Sequence, residues 1–156
     1  MGVSVSHTTF VIERDLPGSP ARAFRFWSDH ALKRKWNSCH PDWTEIEDRF
    51  DFRTGGSEAM RWRTPDGIEH GFVAHYLAIA PGQRIIYAYA MTVDGRDVSA
   101  SLATVEFTAR TGGTRMTFTE QAAFATPADG AIREAGTGIG FERLIAVLEQ
   151  DLAVVH

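Results

Sequence analysis

The chain has 156 residues, 44% of them hydrophobic, enough for one sizeable core and too few for two, so a single domain over residues 1–156 is expected. A formal charge of -4 without a long basic run excludes nucleic acid and an anionic membrane surface as main partners, and no stretch approaches the roughly 20 apolar residues of a membrane helix. The lone cysteine, Cys39, excludes an internal disulfide and a cysteine-rich metal site; with no secretory signal pattern, the expected compartment is the cytoplasm. Cys39 itself reads as an incidental thiol in a helix-to-strand loop, and the MGVSVS start fits the loose myristoylation pattern through Gly2 and Ser6, a pattern frequent by chance.

From His7 to Leu16 the chain is rich in β-branched residues, with Phe10 and Ile12 on one face of a first strand. Pro17, Gly18 and Pro20 end it. Ser19 caps a short helix that has Pro20 at its first position and Ala23, Phe24 and Trp27 on one stripe. Asp29 starts a second short helix, with Leu32 and Trp36 one turn apart. From Trp43 the period changes to two. Ile46, Phe50 and Phe52 share parity, a TGG turn follows at Thr54 to Gly56, and Glu58, Met60 and Trp62 continue on one face. Turns at Pro65–Gly67, Pro81–Gly82 and Asp94–Gly95 separate strands over about Glu69–Ile79, Arg84–Val93 and Asp97–Ala109. After Gly112 and Gly113 the last strand alternates, placing Met116, Phe118, Glu120 and Ala122 on one face. Thr126, Pro127 and Gly130 break the pattern. A terminal amphipathic helix is expected from near Phe141, with Leu144, Ile145, Leu148 and Leu152 at three- and four-residue intervals. The stripe has to be buried against the concave face of the strands, either packed solid or around a cavity.

This order, with the strings FRFWSDHALKRKW (Phe24 to Trp36), FDFRTGG (Phe50 to Gly56), PGQRIIYAY (Pro81 to Tyr89), GTRMTFTEQ (Gly113 to Gln121) and GFERLIAVLEQDL (Gly140 to Leu152), resembles the START-like or Bet v 1-like superfamily of polyketide cyclases and lipid-transport proteins. Within it, the chain is similar to the bacterial branch related to the C-terminal domain of the heat-shock-protein ATPase activator. The resemblance spans almost the whole chain. It implies an α+β helix-grip fold: a curved antiparallel sheet of about seven strands around the C-terminal helix, two short helices between the first and second strands, and a cavity between sheet and helix. It implies no single activity, since members bind lipids, sterols or polyketide intermediates and some cyclise or hydrate them; function has to be read from the site.

Parity selects the side chains facing that cavity. Met60, Trp62, Tyr87, Tyr89, Phe107, Met116 and Phe118 on strands, with Phe141 on the helix, form an expected aromatic-lined ligand-binding surface. Glu58 and Glu120 share the inward parity. Each either reaches solvent at the cavity mouth, because an unpaired buried charge is costly, or anchors a ligand or serves as a general acid. At Glu58 the chain carries a charge where the resembling family often has an aromatic or aliphatic residue, which favours a ligand with a polar group or no ligand. His70 and His75, five apart on one strand, point to opposite faces and make a poor metal pair, although His75 could face the cavity as an acid or base. The spacing of Gly136, Gly138 and Gly140 suggests a flexible loop or a gate at the cavity mouth before the helix.

No metal, cofactor or nucleophile motif is present in the sequence. The expected partner is a small hydrophobic molecule, and a homodimer is compatible with the sequence. The alternatives are a cyclase or dehydratase using Glu120, Glu58 or His75, and co-chaperone action. Chaperone contact is not expected, because the activators use an additional N-terminal domain and this chain starts with the first strand.

Overall fold

The computed structural model describes residues 5–38 and 40–155, so the readings at Gly2 and Cys39 lie outside the described residues. Ten elements follow in order: β1 (Ser6–Pro17), α1 (Pro20–Ser28), α2 (His30–Lys33), β2 (Thr44–Phe50), β3 (Ser57–Arg63), β4 (Glu69–Ala80), β5 (Arg84–Val93), β6 (Arg96–Arg110), β7 (Gly113–Phe124) and α3 (Ala128–Val155). The strands form one antiparallel sheet in the order β1-β7-β6-β5-β4-β3-β2. The helix-grip expectation holds, with seven strands, two short helices after β1 and one long helix at the end.

The first and second strands lie at opposite edges of the sheet, so α1 and α2 carry the chain from one edge to the other. Both helices begin as the sequence dictates. The Ser19 hydroxyl accepts the Arg22 amide at 3.2 Å with Pro20 in the first turn, and the Asp29 carboxylate accepts the Leu32 amide at 3.1 Å. Helix α1 buries Ala23, Phe24, Phe26 and Trp27 against the concave sheet face. The β5–β6 turn fits its Asp-Gly dipeptide: Asp94 has φ 49° and Gly95 φ 75°, the two positive values that a tight hairpin requires.

Strand alternation is cleanest in β7, where Thr114, Met116, Phe118, Glu120, Ala122 and Phe124 are all buried. From β6, Ala103, Val105 and Phe107 join them, and Leu144 and Leu148 of α3 close the core from the other side. Trp27, Trp36 and Phe118 surround Phe141 with ring centroids 6.0, 6.2 and 5.1 Å away. Val73, His75 and Leu77 lie exposed on the outer face of β4.

The terminal helix departs from expectation. It begins at Ala128, about four turns before Phe141, so Gly136, Gly138 and Gly140 lie inside it and form no loop. Local propensity is overridden here by contacts at both ends of the glycine-rich stretch. Phe141, Leu144 and Leu148 anchor the downstream half, and Arg133 is clamped to the sheet upstream.

Candidate functional site

Between β3–β5, α2 and the first half of α3 lies a cavity of about 350 Å³. The sheet contributes Met60, Trp62, Phe72, Tyr87, Tyr89 and Met91, and Phe118 adds a further ring. Trp27, Lys33 and Trp36 come from α1, α2 and the turn after them. The long helix presents Arg133, Gly136, Thr137, Gly140 and Phe141, with exposed Ile132 and Arg143 at the rim. An ideal Cβ built on Gly136 or Gly140 would meet nothing within 4 Å. Packing therefore does not require glycine at either position. Both belong to the cavity lining, Gly140 half-buried and Gly136 exposed at the mouth.

Of the sequence-predicted binding residues, Met60, Trp62, Tyr87, Tyr89, Phe118 and Phe141 line this space. Glu58, Phe107, Met116 and Glu120 do not. Phe107 packs against Phe24 at 6.0 Å, and Met116 is fully buried in the core. His75 points outward as an exposed residue, which removes it as a cavity acid or base; His70 sits on the inner side, stacked on Trp43 and Trp62 with centroids at 5.1 and 6.0 Å. The two histidines do lie on opposite faces. Among the described residues, no group of three or more His, Cys, Asp or Glu could hold a metal ion.

A mouth position for the two carboxylates is excluded, since Glu58 is 3% and Glu120 0% exposed. Each is buried with a cation that the sequence reading missed. Glu58 Oε1 accepts from Lys33 Nζ at 2.7 Å and from the Tyr76 hydroxyl at 2.8 Å. Glu120 accepts from the Tyr89 hydroxyl at 2.7 and 2.8 Å, from Ser101 Oγ at 2.7 Å and from Arg133 Nη1 at 3.4 Å. Arg133 also donates to the Tyr89 hydroxyl at 2.9 Å and to Ser99 Oγ at 2.7 Å, and its guanidinium lies 5.4 Å from the Tyr89 ring. These hydrogen bonds satisfy most of the lone pairs that burial would otherwise strand.

The missed cations carry a weak signal in the sequence. Lysine and arginine are surface residues by default. Once α3 starts at Ala128, however, Arg133, Thr137, Gly140 and Phe141 fall at helical spacing on the face that continues through Leu144 and Leu148.

The tyrosines are held as neutral phenols. Burial pushes the Tyr89 hydroxyl well above its ordinary range, the Glu120 charge raises it further and Arg133 opposes. Burial does the same to Tyr76, with Glu58 adding, and to Tyr87, with Tyr89 and Glu120 adding. Tyr89 spends its proton on Glu120. Tyr87 lines the cavity, as do Trp27 and Trp62, whose buried indole N–H groups have no hydrogen-bond partner among the described residues. An indole N–H can donate to a guest. Neither carboxylate belongs to the wall, so a bound molecule meets Lys33 and Tyr89 in front of them.

The Activator of Hsp90 ATPase homolog 1-like protein family matches residues 17–153. The chain belongs to that family. Among solved structures, one similar to it is an uncharacterised protein from Rhizobium leguminosarum, 46% identical, covering 94% of this chain and 97% of that one with a TM-score of 0.88. A protein from Rhizobium loti is 43% identical over 92% of this chain and 99% of its own, with a TM-score of 0.85. The homolog 1-like protein of the same family from Aeromonas hydrophila, 20% identical with a TM-score of 0.68 over 92% of this chain and 94% of its own, shares the fold. No curated protein matches. Among the described residues, no helix of this family member is long and apolar enough to cross a membrane.

Proposed function

We propose that the protein binds a small, flat, largely apolar molecule in the cavity between its sheet and α3. The observation that carries this reading is the combination of aromatic walls with Gly136 and Gly140, two glycines inside a helix that face open space. Each costs about 1 kcal/mol relative to alanine in a helix interior, and no neighbour requires the loss. A cavity kept open at such a cost has a use in holding something. A volume of about 350 Å³ lies near the lower end of ligand sites and suits a molecule of one to a few rings. A cyclase or dehydratase reading needs a carboxylate in contact with the guest, and Glu58 and Glu120 stand behind Lys33 and Tyr89.

The test is thermal unfolding in the presence of small aromatic and polycyclic compounds. A guest held only by the folded state adds about 2.7 kcal/mol at a hundredfold excess over its dissociation constant, which shifts the melting temperature measurably. No shift across a broad panel of such compounds would contradict the proposal.

A further inference from the structure

The charged side chains that line the cavity are Lys33, Arg133 and Arg143, all basic, in a chain where acidic residues outnumber basic ones by 20 to 16. The two inward carboxylates are set back from the wall. Glu58 accepts from Lys33 and Glu120 from Arg133, so the interior faces the cation end of two buried ion pairs. Aromatic surroundings lower the local dielectric, and a charge at that wall acts more strongly than it would in water.

The cations also have donors to spare. An ammonium has three N–H groups, and two partners, Glu58 and Tyr76, engage those of Lys33. A guanidinium has five, and Arg133 makes three contacts, to Tyr89, Glu120 and Ser99. The unpartnered indole N–H groups of Trp27 and Trp62 add two further donors among the lining residues. A wholly apolar guest would leave these groups without partners, and an amine would bring a like charge to a basic wall.

We infer that the ligand is an amphipathic acid, a flat apolar body carrying a carboxylate or a comparable anionic oxygen, and that the cavity discriminates against amines. The inference rests on the binding reading above and names the class of ligand.

Isothermal titration at neutral pH with three probes of one shape tests it: 2-naphthoate, 2-naphthalenemethanol and protonated 2-naphthylmethylamine. The acid is expected to bind at least about tenfold more tightly than the amine, with the alcohol between them. Two double variants, Lys33→Met/Glu58→Gln and Arg133→Met/Glu120→Gln, each remove a whole ion pair and strand no buried charge. In at least one of them, the ratio of acid to alcohol affinity is expected to fall by several fold. Amine binding as tight as that of the acid, or an acid preference unchanged in both variants, overturns the inference while the binding reading stands. Failure of all three probes to bind overturns the inference, and the binding reading falls with it if the broad panel gives no thermal shift either.

Discussion

Lys33 is the residue on which the chemistry of one cavity wall turns. It is 6% exposed, and its Nζ lies 2.7 Å from Glu58 and 5.3 Å from the Phe50 ring centre, so each charge of the pair depends on the other more than on water. Removing one member of a buried pair costs far more than the pair contributes, because the other charge stays buried. Lys33→Met is therefore expected to lower the free energy of unfolding by about 3–5 kcal/mol, and adding Glu58→Gln should recover a large part of it. Denaturant unfolding of the two variants measures both; equal loss in the single and double variants would show that packing around Lys33, and not charge, is what matters. The carboxylates were legible from strand parity. Their partners were harder to read, because a four-residue helix gives no stripe to orient Lys33, and Arg133 shares a face with Phe141 and Leu144 only once α3 is known to start at Ala128.

Helix α3 holds the trade between stability and space. Gly136 and Gly140 face openings where a Cβ meets nothing, whereas a Cβ on Gly138 would approach Arg14 Nη2 at 3.3 Å. Gly136→Ala and Gly140→Ala should each stabilise the protein by up to about 1 kcal/mol, through the helix propensity of alanine. Together they should weaken ligand binding, because the added methyl groups occupy the space that the glycines leave. A double variant with lower stability, or with unchanged affinity, would contradict this account of the helix. The strands were readable because turns and period-two alternation are local signals; Met116, Phe118 and Glu120 face inward as alternation requires. The start of α3 is signalled by Thr126, Pro127 and Asp129, a cap-and-proline pattern in which the Thr126 hydroxyl lies 2.7 Å from the Asp129 carboxylate, but Gly130, Gly136, Gly138 and Gly140 mask it, and Arg133 and Phe141 anchor the helix on either side of the last three glycines.

At the scale of the whole molecule, the three tyrosines of the chain are Tyr76, Tyr87 and Tyr89, and they lie together on the inner face of β4 and β5, Tyr76 and Tyr89 buried and Tyr87 half-buried, with phenols raised above the ordinary value of 10.0. Between that value and the folded-state values, the unfolded chain loses protons that the folded chain keeps. Stability is thus fully present below about pH 10 and falls as the pH rises above it. Absorbance of tyrosinate in an alkaline titration should stay flat while the fold persists and then rise in one step with the loss of circular dichroism. A gradual rise near pH 10 in the folded protein would place at least one phenol in water.

The central claim is that a guest sits between the sheet and α3. Nuclear Overhauser contacts between the ring protons of bound 2-naphthoate and the protein locate it directly. The account predicts contacts to Trp62, Tyr87 and Phe141 on the cavity wall. Contacts confined to Val73 and Leu77, the exposed apolar side chains on the outer face of β4, would contradict it.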